Sequence, residues 1–336
     1  MPLRRVSGAL VALGLGLPAC AAFDPLGAGG WHEVRSGELV LLTSGEVEPV
    51  ERLAQRLQWL EPIAEEVSGL GPGAPRPLTL VLFESRAAYL RHAPLPESSG
   101  SHARTDSGSL ALVDGSGPWR TTVRIALHEY VHYFLACHGD FPTWYEEGLA
   151  DYLAFLNVSD GSIELGLEDP LRVNLLRGRA SMPLPALISG DTASPQYGDA
   201  KLLGRFHDTA WSLFHYLRLG RPQGREGLAR YLASFQAGVP SPAALEEALG
   251  VSLPALQQEL AAYVARSPLP SERLEARRFL IARPPVASRR LDPADVSALR
   301  FELEQLRPTS KSPSFYHSDR EAAAAFHTLR RHARSP

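Results

Sequence analysis

The protein has 336 residues, of which 44% are hydrophobic, 21% charged and 8% aromatic, a near-average globular composition that excludes whole-length disorder, collagen and coiled coil. Lys+Arg 34 against Asp+Glu 37 gives a formal charge of −3 with no long block of like charge, so nucleic acid is not an expected partner. The two cysteines, Cys20 and Cys137, exclude a disulfide framework and a cysteine-based zinc knuckle.

Residues 1–22 read as a leader. Arg4 and Arg5 precede an apolar stretch at 6–17, and the sequence runs on as Leu17-Pro18-Ala19-Cys20, the layout of a secretory signal. A helix of about 12 residues spans ~18 Å against a hydrocarbon core of ~30 Å, too short for a transmembrane anchor. The last four residues resemble a bacterial lipobox, which implies cleavage before Cys20, lipidation of its thiol and a membrane-anchored protein of the cell envelope. Cleavage after Ala19-Cys20-Ala21 is the alternative, and it exports the protein without a lipid.

The rest opens as β then α: a strand at 38–43, then a helix at 46–67 with apolar residues at Val50, Leu53, Leu57, Leu60 and Ile63. A Gly/Pro turn at 69–77 leads to an apolar strand at 78–83 and a brief helix at 86–91. A polar loop at 94–108 precedes a short edge strand at 109–113, where an extended peptide has backbone to pair with. From 121 onward the pattern is mostly helical, at 122–137, 144–156, 206–219, 225–236, 242–249 and 253–265. After 267 the sequence turns Arg- and Pro-rich, with short helical patterns at 293–306 and 319–332. The expected class is α+β, a small mixed sheet followed by a mostly helical half, with a domain at 23–266 and a helical or partly ordered tail at 267–336.

The chemistry concentrates in His128-Glu129-Tyr130-Val131-His132. Residues four apart share a helix face, so His128 and His132 can direct two imidazoles at one metal ion while Glu129 polarises a water beside it. The surrounding helix is apolar on nearly every side, and buried polar groups there need partners, which a metal supplies. A catalytic zinc takes three protein ligands and keeps one open position, so a third ligand is required. Two residues compete. Glu147 begins the next helix, where Thr143 and Glu146 form a capping box, and Asp151 one turn later can accept the second ring N–H of a ligating histidine. Gly148 and Ala150 offer small surfaces for close helix approach. His138 fits the elongated metzincin spacing, with Met182 available for a methionine turn, but Leu135 stands where that motif has its turning glycine.

His128-Glu129-x-x-His132 followed by Trp144-x-x-Glu147-Gly148-x-Ala150-x-Tyr152 resembles the gluzincins, in particular the compact bacterial peptidase MA-like proteins. The resemblance runs from about 31 to 265 and includes Ala210-Trp211-x-Leu213-x-x-Tyr216-Leu217. It implies a zincin-like fold, zinc held by His128, His132 and Glu147, Glu129 as general base, and hydrolysis of a peptide or protein substrate. Relatives place a tyrosine just before the Ala/Ser-Trp pair as oxyanion donor. Here His207 stands at about that place, with Tyr197 upstream, and as a catalytic residue it competes with a plain polar helix position. The rival class is a non-catalytic envelope lipoprotein that keeps the scaffold to bind a partner through the tail.

Overall fold

A computed structural model describes residues 30–305 apart from 75, 94–97, 106–107, 160, 179–180, 191–198, 237–240, 267 and 280–283. The leader with Cys20, Tyr197 and the helical pattern at 319–332 lie outside the described residues. The fold is mixed α+β, and a six-stranded sheet organises its first part.

Strands β1 (His32–Ser36) and β2 (Leu39–Thr43) form a tight hairpin, with Gly37 in the left-handed conformation at its tip. Helix α1 (Val47–Ser68) crosses to β3 (Leu78–Phe83), which pairs parallel to β2, and short α2 (Arg86–Leu90) follows. Next come β4 (Gly100–Thr105) and β5 (Gly108–Asp114), an antiparallel pair whose β5 runs parallel to β3. These five lie side by side in the order β4-β5-β3-β2-β1.

Two expectations are corrected here. The segment 94–108 is not all loop, because it contains β4. The strand at 109–113 is not an edge, because β5 is enclosed by β3 and β4, and the edge belongs to β4. Gly-Ser-His-Ala-Arg-Thr carries little intrinsic strand signal, and what makes it a strand is its register with β5.

Both faces of the sheet are covered. Leu39, Leu41, Leu78, Leu80 and Leu82 face the large core shared with α1 and the later helices, while Val40, Leu42, Val81 and Phe83 face a second, smaller core. That double burial is why β2 and β3 read as continuous apolar runs.

The helical part begins with α3 (Trp119–Ala136) and α4 (Thr143–Ala154). A small antiparallel sheet follows, of β6 (Asn157–Ser159) and β7 (Ser162–Leu165) with a later strand, then α5 (Pro170–Gly178), α6 (Leu184–Ile188) and α7 (Ala200–His215). A π-helical turn (Tyr216–Gly220) leads into α8 (Gly224–Gln236), α9 (Pro242–Leu249) and α10 (Leu253–Val264). None of the helices in the described residues is long and apolar enough to cross a membrane.

The expected boundary at 266/267 also needs correction. β8 (Glu272–Glu275) pairs with β7, and β9 (Ala287–Arg290) closes the far edge of the large sheet as its sixth strand, antiparallel to β1. Helix α11 (Pro293–Gln305) then places Leu299 and Leu303, with Leu291 before it, in the smaller core beside Trp31 and Tyr89. Residues through 305 therefore complete the domain instead of trailing from it.

Candidate metal centre

Helix α3 packs under β4 and against α4, and α4 packs against α7, so three helices and an edge strand meet around His128. The α4–α7 approach depends on Gly148, because a Cβ there would sit 2.8 Å from the Ala210 carbonyl oxygen and 2.9 Å from Phe214 Cβ. The helix that Gly148 admits is thus α7, which carries His207.

Three donor atoms converge. His128 Nε2 lies 3.1 Å from Glu147 Oε2 and 3.1 Å from His132 Nε2, and His132 Nε2 lies 3.5 Å from Glu147 Oε2. His128, His132 and Glu147 form one group able to hold a metal ion, and His128, Asp151 and His207 form another. Asp151 Oδ1 stands 3.2 Å from His128 Nδ1, and its Oδ2 accepts from Arg172 Nη2 at 2.9 Å. His207 Nδ1 lies 3.4 Å from both Glu147 Oε2 and Asp151 Oδ2. With the His128 Nδ1–H directed at Asp151, the Nε2 lone pair faces a carboxylate oxygen, an arrangement that repels until a proton or cation lies between them.

The electrostatics follow from burial set against these partners. Burial disfavours charge on His128, but hydrogen bonds to Asp151 and Glu147 outweigh it and hold the imidazole well above its ordinary value. Burial alone would raise Glu147, yet His207, His132 and His128 hold it well below the usual carboxylate range. Asp151 is likewise held low against its burial by Arg172 and His128. Glu129 behaves differently: burial dominates and the carboxyl is raised, only partly offset by His128 and His132. It is 5% exposed and its Oε2 has no hydrogen-bond partner among the described residues. Beside these residues lies a cavity of about 460 Å³, lined in part by Ser99, Gly100, Ile125, Leu203 and His207.

The competing ligand is held elsewhere. Because Leu135 keeps α3 helical to Ala136, His138 leaves the helix end with its ring nitrogens 2.8 Å from the Phe134 carbonyl oxygen and 2.7 Å from that of Gly71. Cys137 caps the helix. Met182 is buried, its N–H donating to Thr209 Oγ1 on α7. The expected capping box is absent: Pro142 precedes α4, Thr143 is its first residue, and the Pro142 carbonyl takes the N–H groups of Tyr145 and Glu146. Glu146 lies 3.9 Å from Arg104 Nη2 instead, and burial pushes its carboxyl up to about 7.

Sequence reasoning misses three participants. His102 on β4 stacks on the His132 ring at 6.3 Å, Gly100 lies against Glu129, and Arg172 on α5 bridges Asp151 to Asp208. The first two are hidden with their strand, and Arg172 has no local signal at all. No protein-family model and no curated protein matches this sequence.

Proposed function

We propose that this protein is a zinc-dependent peptidase of gluzincin type on a zincin-like scaffold, with His128, His132 and Glu147 as ligands. The observation that carries the reading is the convergence of those three donor atoms beside Glu129 Oε2, which has no partner among the described residues. Donors at ~2.0–2.1 Å from a tetrahedral zinc stand ~3.3 Å apart, and separations of 3.1, 3.1 and 3.5 Å support that ion. Two imidazoles and one carboxylate are also a donor set that zinc accepts with a position to spare.

Held by these three residues, zinc would supply Lewis acidity to a water and to a substrate carbonyl. Glu129 receives the proton of the attacking water at Oε2 and passes it to the leaving amine, a task suited to a carboxyl whose burial raises its basicity. Asp151 fixes the His128 ring by taking its Nδ1–H. His207 keeps Nδ1 toward Asp151 and Glu147 and lines the cavity, so its Nε2 is the group available to the substrate oxyanion. Export, with Cys20 as lipid attachment point, puts this activity in the cell envelope. Lipid labelling that Cys20→Ala abolishes is the check on that location.

The test is zinc content and chelator-sensitive cleavage of a peptide library by the purified protein. Wild type is expected to carry about one zinc and to cleave. Glu147→Ala loses the zinc, whereas Glu129→Gln keeps it and cleaves at least about 100-fold more slowly. Full hydrolysis by Glu129→Gln, or undiminished zinc in Glu147→Ala, overturns the assignment.

A further inference from the structure

The wall of the cavity contributed by α3 is a single stripe: Thr121, Arg124, Ile125, His128 and Glu129 follow the spacing of one helix face. Arg124 therefore stands one turn before His128, about 6 Å along the axis. Its guanidinium lies 4.0 Å over the Phe155 ring and makes no hydrogen bond or ion pair with any described residue. The charges near it are Arg120 on its own helix, Asp169 just before α5, and Arg172 on α5. Arg172 also approaches Phe155, at 5.7 Å, but its charge is taken up by Asp151 and Asp208. So the same aromatic ring carries one arginine committed to the metal centre and one with no anion bonded to it among the described residues, facing the cavity.

Resting on the peptidase reading, we infer that Arg124 is a specificity residue that recognises a carboxylate on the substrate. Stacking on Phe155 fixes the plane of the guanidinium and leaves its N–H edge to bind a carboxylate side by side, the pairing for which arginine is shaped. Ile125, Phe155 and Leu203 make the surrounding wall apolar, so water competes weakly for that pair. An extended peptide advances ~3.3 Å per residue. The one-turn offset between Arg124 and His128 then places the recognised carboxylate within a few residues of the scissile bond. An Asp or Glu side group and a peptide's terminal carboxylate both offer that chemistry.

The experiment uses one quenched fluorescent peptide series bearing Asp, Asn or Lys at each flanking position, each as free acid and as C-terminal amide. For wild type, kcat/KM is expected to favour a carboxylate-bearing peptide over its neutral match by about 10- to 100-fold. In Arg124→Gln that ratio falls to near one, and in Arg124→Glu the preference turns to Lys. Using a ratio within each variant removes any loss from altered folding. A preference confined to free acid over amide identifies the terminal carboxylate, and one confined to Asp over Asn identifies the side group. Chelator-sensitive cleavage with no Arg124-dependent preference overturns the inference and leaves the peptidase reading standing. Arg124-dependent binding of the acidic peptides by fluorescence anisotropy, with no cleavage, overturns the peptidase reading alone. Neither binding nor cleavage overturns both.

Discussion

Two buried charged clusters meet α4 at consecutive residues, Tyr152 and Asp151, and they are built on opposite principles. In the first, Glu272 of β8 accepts from Tyr152 at 2.7 Å, from Arg218 at 3.0 Å and from Arg225 at 3.3 Å, and Arg218 Nη1 also donates to the Val67 carbonyl at 2.7 Å. Each carboxylate oxygen there has a donor. In the second, Glu129, Glu147, Asp151 and Asp208 gather with Arg172 as the guanidinium bonded into them, and two histidine nitrogens face each other at 3.1 Å. Glu129 Oε2 and Arg172 Nη1 are left without partners among the described residues. A satisfied cluster holds the fold, whereas one that concentrates anions and unshared lone pairs is stabilised by a cation from outside.

The largest expected effect breaks the satisfied side. Glu272→Ala leaves the Arg218 guanidinium buried at 7% exposure with its charge uncompensated, and the expected loss is about 3–5 kcal/mol by urea denaturation. The same pair sets a pH dependence. Burial would raise the Glu272 carboxyl, but Arg218 holds it below the ordinary range, so the unfolded state binds more protons in mild acid. Its stabilisation is present above an unfolded value of about 4.3 and disappears as pH falls through the folded value. Denaturation midpoints between pH 7 and 3 are expected to fall more steeply in wild type than in Glu272→Gln, and equal slopes would remove the cluster from the account of stability.

Next in size is a change that disturbs the unsatisfied side without touching a charge. A Cβ on Gly100 would collide with Glu129 Oε1 and lie 2.6 Å from Ile125 Cγ2. Gly100→Ala therefore displaces the proposed general base while sparing His128, His132 and Glu147. Misplacing a reacting group by about 1 Å costs about 100-fold, or roughly 2.7 kcal/mol of activation free energy. The expected signature is a fall in kcat with zinc content retained. Loss of zinc along with activity would mean that β4 supports the ligands rather than Glu129.

Legibility divides along the same physical line, between information carried locally and information carried by partners. The strand at 78–83 and helices such as 242–249 are readable because their own residues alternate, cap or run apolar in the pattern each element requires. So is the α3 stripe, since its helical spacing brings His128 and His132 together regardless of the rest of the fold. β1 is hard to read, because its buried Glu33 takes hydrogen bonds from Arg289, more than 250 residues away, as well as from Arg35 two residues on. β9 and α11 read as tail for the same reason: Ala-Ser-Arg-Arg is a strand only beside β1. Within the site, Asp151 follows from helix spacing, and Arg172 does not, because α5 meets α4 through packing that no short window of sequence encodes.

The smallest effect is the sharpest test of the comparison, since it makes the same chemical change in both clusters. Asp151→Asn keeps a carbonyl oxygen to accept the His128 Nδ1–H now held at 3.2 Å, but removes the charge that would make the imidazole of the proposed ligand a stronger donor to zinc. Zinc affinity is expected to weaken about 10- to 100-fold, roughly 1.4–2.7 kcal/mol, as read by competition with a chromogenic chelator. Glu272→Gln neutralises a carboxylate equally well hydrogen-bonded, to Tyr152 and Arg218 rather than to His128, and its zinc affinity is expected to stay at the wild-type value. Equal weakening in both variants would mean that the metal responds to the stability of α4 as a whole. A difference confined to Asp151 would assign the effect to the negative charge beside His128, because folding stability falls in both variants while the charged partner of His128 is lost in one.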